Sequence, residues 1–231
     1  MILPARRPTL ARWRRLAGAP FSLLRSLEYE RLAGFPLHGL VLDVGGGTRN
    51  SYLHLLRLDG QLETVNIDPA MQPTYLADLN QPLPIPSNRY DAVISLNTLE
   101  HIEQDRVALA EIGRVLKPGA SAHLIVPFLY RVHGSPNDYH RHTASAWIAM
   151  LSAAGFARET IRIEPLAFGR LSAGFALMEF FFPGPLRWLL KHAVLLLIVL
   201  RDAVRASPAE AEMDMPLGYF ITASKKAEGA A

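Results

Sequence analysis

The stretch Gly39-Leu-Val-Leu-Asp-Val-Gly-Gly-Gly-Thr48 decides the fold. Its first half is an apolar run of strand length, and it passes through Asp43 directly into three glycines. A short buried strand that runs into a glycine-rich turn is how an α/β unit begins, with the turn at the carboxyl edge of a parallel sheet. Gly45 and Gly47 let the backbone approach a ligand closely, since neither carries a Cβ.

Downstream, the pattern predicts a helix from about Asn50 to Arg57 and a second strand over Glu63 to Ile67 ending in Asp68-Pro69. A third short strand is expected around Thr74 to Leu76, leading into Ala77-Asp78-Leu79-Asn80. A fourth, Tyr90 to Asn97, carries a polar residue at its carboxyl end. Apolar residues recur at helical spacing from Gln104 to Leu116 and stop at Lys117-Pro118-Gly119, and a fifth strand covers Ala122 to Val126. Thr143 is placed to cap a helix through Ala153, with Gly155 as its stop. Strands alternating with helices in this way give a doubly wound, Rossmann-like α/β sheet. Ligands of such sheets sit outside the carboxyl ends of the strands, where strand order reverses. The glycine turn, Asp68, Asp78, Asn97 and the loop after Val126 all emerge at that edge.

With 231 residues, half of them hydrophobic, the chain is long enough for one sizeable core. The absence of cysteine removes disulfides, thiolate metal sites and cysteine nucleophiles, and fits a reducing compartment. Charge is unevenly placed. Arg6, Arg7, Arg12, Arg14, Arg15 and Arg25 precede the first acidic residue, so residues 1–36 read as a basic extension suited to an anionic membrane surface or simply solvated. Those arginines interrupt any signal-peptide core, and a cytoplasmic location is expected. Nucleic acid is disfavoured as a partner, because no aromatic platform or basic stripe accompanies the arm.

Asp68, roughly twenty residues past the glycines, suits a ribose diol. A dinucleotide fingerprint starting at Gly45 needs a glycine where Asn50 stands, which disfavours nicotinamide cofactors. Taken in order, Leu42 to Thr48, Asn66 to Pro69, Ala77-Asp78-Leu79, Tyr90 to His101 and Leu116 to Gly119 resemble the motifs of class I S-adenosylmethionine-dependent methyltransferases, nearest the small-molecule branch called type 11. The resemblance covers roughly Leu37 to Phe156, and Gly218 to Ala223 is similar to the family's final antiparallel strand. It implies a mostly parallel seven-stranded sheet with an antiparallel last strand, and S-adenosyl-L-methionine as cofactor. It implies Asp43, Gly45 and Gly47 at the methionine moiety, Asp68 at the ribose, Asp78 and Leu79 at the adenine, and Asn97 beneath the sulfonium. Arg49 departs from the family, which commonly has a further glycine there.

Methyl transfer from a sulfonium is an in-line displacement, so the protein chiefly aligns donor and acceptor, and a base is needed only for a protonated nucleophile. Candidates for that base or for holding the acceptor are His101, Tyr139 and His140, with Arg141 beside them. Tyr139, His140 and Arg141 belong to His133-Gly-Ser-Pro-Asn-Asp-Tyr-His-Arg-His-Thr143, whose polar side chains also invite a metal reading through His133, Asp138, His140 and His142. No pair there is spaced for one helical face, and Pro136-Asn137 are turn formers, so a shaped loop is expected and no metal. Pro136 to Thr143 also resembles a loop of the same methyltransferase branch, and that resemblance implies that it closes over the substrate.

Residues 37–164 and 217–226 read as the cofactor-binding domain, and residues 165–216 as a hydrophobic helical insertion before the last strand. From Leu186 to Arg205, at 100° per residue, Arg187, Lys191, Arg201, Asp202 and Arg205 share an arc of about 100°, and the rest is apolar. Charges and prolines make this too interrupted to span a bilayer, which takes about 20 apolar residues. The helix is expected to lie in a membrane interface with its basic residues toward headgroups, or to cover the substrate cleft, or to meet a second subunit in a homodimer. Either arrangement favours a small-molecule or lipid-linked acceptor. A non-catalytic, membrane-docked adaptor that retains the fold is the alternative.

Overall fold

The computed structural model describes residues 1–47, 50–134, 136–204 and 215–227. Seven strands form one sheet: β1 (Phe35–Val44), β2 (Leu56–Asn66), β3 (Tyr75–Leu76), β4 (Tyr90–Leu96), β5 (Leu116–Pro127), β6 (Arg162–Leu166) and β7 (Gly218–Ser224). Their order is β3-β2-β1-β4-β5-β7-β6, with β7 antiparallel to both neighbours and the other pairs parallel. Strand order reverses between β1 and β4, so a crevice opens beyond their carboxyl ends. The expected sheet, with its antiparallel last strand and a helical insertion before it, is the one observed.

One face of the sheet buries Leu42, Val44, Val93, Leu124 and Val126 against α3 (Asp105–Val115) and α4 (Ala144–Ala153). Helix α4 starts as its sequence suggests, with Thr143 Oγ1 accepting from the Ala146 N–H at 3.3 Å.

The other face differs from expectation. No α-helix covers Asn50 to Arg57; a single 3-10 turn, Leu53–Leu55, leads straight into β2, which begins at Leu56 rather than Glu63. The two strands run in register from the Phe35–Leu56 pair to the Val44–Val65 pair, so β2 claims residues that the helix would need. What remains of the connection is too short to sustain a helix, since nucleation is costly and short helices are marginal.

The vacated face is covered by distant segments. Val41, Ala92, Ile94, Ile125 and Phe220 pack against α1 (Leu10–Gly18), α2 (Leu23–Leu32), α5 (Arg170–Met178) and α6 (Gly184–Val204). The basic extension and the hydrophobic insertion thus form one layer. Its ion pairs are internal: Arg12 and Arg15 reach Glu30, while Arg6 and Arg31 both reach Glu164 on β6. Arg7 and Arg14 remain exposed. At the sheet edge, Leu3 N–H donates to Ile163 O and Ile163 N–H to Met1 O, extending the pairing beside β6.

Helix α6 is amphipathic, but its orientation corrects the sequence reading. Lys191 is 3% exposed; its amine donates to Ala19 O, Phe21 O and Ser26 Oγ at 3.0–3.1 Å, and burial pushes it down to about 8. Leu195 and Ile198 are buried on the same side. The amine needs acceptors, and the turn between α1 and α2 supplies them, so this part of the charged arc faces the protein. The face left outward carries Leu186, Leu189, Leu197 and Leu200, the last three being 57%, 55% and 58% exposed. Arg205, assigned to the charged arc, lies outside the described residues. Among the described residues no helix is long and apolar enough to cross a membrane.

Candidate functional site

A cleft of about 280 Å³ opens beyond the carboxyl ends of β1, β2 and β4, where Gly45, Asp78, Leu79, Asn97, His101 and Tyr139 come together. The glycine turn is held open by its neighbours. Gly45 has φ +85°, and a Cβ on it would stand 2.1 Å from Thr98 Oγ1, so no other residue fits without moving the β4 end. Asn66 Nδ2 donates to Gly45 O and Gly46 O at 2.8 and 3.1 Å, tying the turn to β2. Arg49 lies outside the described residues.

Asp43 sits beneath this turn rather than on the cleft wall. It is fully buried, and Tyr52 O–H and Asn50 Nδ2 donate to its Oδ2 at 2.6 and 3.2 Å. Burial pushes its carboxyl up to about 6. Gly47 packs toward Met71 beside the turn. Asp68 is exposed just past the end of β2, where its Oδ1 accepts from Ala70 N–H at 2.8 Å. Asp78 Oδ1 accepts from both Asn80 nitrogens at 2.9 Å, which fixes the loop carrying Leu79. Asn97 holds φ +52°, an uncommon conformation that asparagine tolerates and that clusters at functional sites.

From the loop after β5, Pro136, Asn137 and Tyr139 line the cleft. Tyr139 N–H donates to Glu100 O at 2.8 Å, and His101 Nδ1 lies 2.6 Å from Asn137 O. Tyr139 lines the cleft, with Asn137 Nδ2 donating to its hydroxyl at 2.9 Å. His140 stands apart from the cleft wall, its Nε2 3.1 Å from Glu103 O. Asp138 is engaged by the Arg141 guanidinium, and His142 Nε2 by Asp105 Oδ2 at 2.6 Å.

A second cavity of about 230 Å³ shares Asn97 with the first and is lined by Ser22, Arg25, Glu28, Tyr130, Arg131 and His133. Its Glu28 comes from α2 and hydrogen-bonds the Asn97 side chain; burial pushes its carboxyl up to about 7, against the pull of Arg25. Phe180, from the insertion, borders Tyr130 and lies under the Arg131 guanidinium at 4.3 Å. Glu100 is buried behind His101, and desolvation pushes it up to about 8. Sequence reasoning passed over Glu28 and Glu100. Glu100 stood beside a candidate histidine, which was a signal; Glu28 stood in a helix with no motif of its own.

Residues 42–124 match the family model described as a methyltransferase domain. Two uncharacterized Mycobacterium tuberculosis proteins, from two strains, are each 32% identical over 130 residues, 45% of this chain and 42% of theirs. The chain therefore spans less than half the length of the curated relatives it matches. Among solved structures, a Haloferax volcanii protein in complex with the Trm112 methyltransferase activator superposes with TM-score 0.56 at 16% identity, over 89% of this chain and 90% of that one. Haemonchus contortus phosphoethanolamine N-methyltransferase 2, solved with S-adenosyl-L-methionine, gives 0.51 at 14% identity over 94% of this chain and 56% of that one. With the matched segment set around the crevice of a seven-stranded sheet, the chain carries the fold of the class I S-adenosylmethionine-dependent methyltransferases, its residues 42–124 matching the methyltransferase domain family.

Proposed function

We propose that the chain transfers the methyl group of S-adenosyl-L-methionine to an acceptor held in the second cavity. The observation that carries this reading is the pair of cavities meeting at Asn97, one bordered by the glycine turn and Asp78, the other by polar groups of α2 and the loop after β5. In the first, Gly45 makes room for the methionine end and Asp78 with Leu79 flanks the adenine, while Asp68, exposed next to the lining residue Ile67, accepts from the ribose hydroxyls. Bound there, the cofactor supplies an activated methyl. The protein's own part is to hold the acceptor in line with it, to exclude water through the closing loop, and to receive a proton near His101 and Glu100 if the acceptor arrives protonated.

The acceptor class is read from the cavity's border. Arg25 and Arg131 suit an anionic group, and Phe180, packed on Tyr130, stands in the chain between Met178 and Phe181, which with the outward leucines of α6 are exposed and offer a path for an apolar group. An apolar tail laid along that path makes a lipid-linked acceptor the best fit. The same apolar face would enter the membrane interface and attach the protein peripherally.

Titration of the purified chain with S-adenosylmethionine and S-adenosylhomocysteine tests the reading. Saturable binding of both is expected, and Asp68→Ala should weaken it roughly 10- to 150-fold, the loss of a charged hydrogen bond of about 1.5–3 kcal/mol. No binding, or unchanged binding in that variant, would sink it. Transfer of labelled methyl into a membrane extract separates an enzyme from a non-catalytic adaptor.

A further inference from the structure

Where the two cavities meet, Glu100, His101 and His133 each turn a ligand atom toward the others, all three atoms within 4.8 Å. His101 Nε2 stands 3.7 Å from Glu100 Oε1. The ring protons of both histidines are engaged elsewhere. His101 Nδ1 lies 2.6 Å from Asn137 O and His133 Nδ1 lies 3.3 Å from Arg131 O, and a carbonyl oxygen only accepts. Each Nδ1 therefore carries a proton, which leaves Nε2 as the ring position that can offer a lone pair to an ion. A backbone carbonyl that fixes the tautomer in this way is the usual outer partner of a metal-binding histidine.

Glu100 adds an independent sign. It is 3% exposed, and among the described residues no other residue hydrogen-bonds either of its carboxylate oxygens. The nearby cation Arg141 is held by Asp138. A buried carboxylate facing a histidine lone pair is costly, and either a proton on Glu100 or a metal cation in its place relieves that cost.

We propose that Glu100, His101 and His133 bind a divalent transition-metal cation of the zinc class, with its remaining coordination position open to the second cavity. Two imidazole nitrogens and one carboxylate suit zinc or cobalt better than magnesium or calcium, and three protein ligands leave room for a fourth. Bonds of about 2.1 Å around a four-coordinate ion put the donors roughly 3.4 Å apart, so the 3.7 Å pair needs only a small contraction. His101 lines the first cavity and His133 the second, which sets the open position where an acceptor heteroatom would stand. A cation there would bind that heteroatom and ease loss of its proton. That last role rests on the proposed methyl transfer; the site itself does not.

A second group, Asp105, His140 and His142, serves as the internal control. Its ligand atoms are equally close, but Asp105 Oδ2 already pairs with His142 Nε2 at 2.6 Å and His140 Nε2 faces Glu103 O.

The test uses the full chain, stripped by a chelator and titrated with Zn²⁺ by calorimetry and with Co²⁺ by visible absorption, with S-adenosylhomocysteine titrated in parallel. One strong equivalent of cation is expected, with the d–d bands of a low-coordinate cobalt site. Glu100→Gln and His133→Ala should each weaken it by at least about tenfold, and His140→Ala should leave it unchanged. His133 lies in a partly exposed loop, so its variant reports even if Glu100→Gln does not fold. No saturable uptake, or uptake kept in His133→Ala and lost in His140→Ala, overturns the site. Binding of S-adenosylhomocysteine without cation refutes the cation site alone, and the converse refutes the cofactor reading alone.

Discussion

His123 shows what a single titrating side chain does to this sheet. It lies on β5 with its Nδ1 3.2 Å from Thr222 Oγ1, edge-on to Phe35 and stacked on Phe220. Burial, with some repulsion from Arg31, pushes it down to about 4. The folded state therefore keeps it neutral where the unfolded chain protonates it near 6.5. Between pH 6.5 and 4 the unfolded state binds more protons, so stability falls as pH falls, by no more than about 3 kcal/mol. Urea midpoints at pH 7, 5.5 and 4.5 should drop less in His123→Phe than in the parent chain. Parallel declines in the two would assign the acid sensitivity to other groups.

At the scale of elements, α6 is the informative case. Its outward leucines are expected to hold the protein on bilayers, and flotation with vesicles of phosphatidylcholine and phosphatidylglycerol measures this. The triple substitution Leu189→Glu, Leu197→Glu and Leu200→Glu should abolish flotation while leaving the protein folded, because these side chains contribute little to the core. A parent chain that stays with the aqueous phase and runs as a dimer would instead give this face to a second copy. The sequence carried the amphipathic period of α6, the cap of α4 and the order of strand ends, because each is written in neighbouring residues. It did not carry the direction in which α6 faces, since the acceptors for Lys191 come from residues 19 to 26. Nor did it carry the loss of the helix after β1, which depends on β2 pairing from Leu56. For the same reason the glycine turn and Asp78 were legible as a site, while Glu28, brought in by α2, was not.

For the whole molecule, the helical layer over Val41, Ile94, Ile125 and Phe220 is shared between the two segments that the sequence set apart from the cofactor-binding domain. Glu179, fully buried, accepts from the Leu23 N–H at 3.0 Å and so caps α2 from within the insertion. Removing residues 165–216 should therefore not leave a working methyltransferase core with altered substrate handling. It takes away Pro165 and Leu166 of β6 together with α5 and α6, and removes Leu166, Phe168, Ala173, Phe175, Leu195 and Ile198 from the cluster that buries Leu23, Leu24 and Leu27. Loss of a cooperative thermal transition is expected in calorimetry; a soluble monomer with a sharp transition would show that the layer is dispensable.

The short link between β1 and β2 also bears on how the chain is made. In most sheets of this kind a helix follows each strand and covers it as it leaves the ribosome. Here α1 and α2 precede the sheet in the chain and are joined by α5, α6 and finally β7, the strand that enters between β5 and β6. Until about residue 220 has been synthesised, one face of the sheet and one face of each early helix remain bare. Closure through such distant contacts is slow, and apolar surface left bare meanwhile is prone to aggregate.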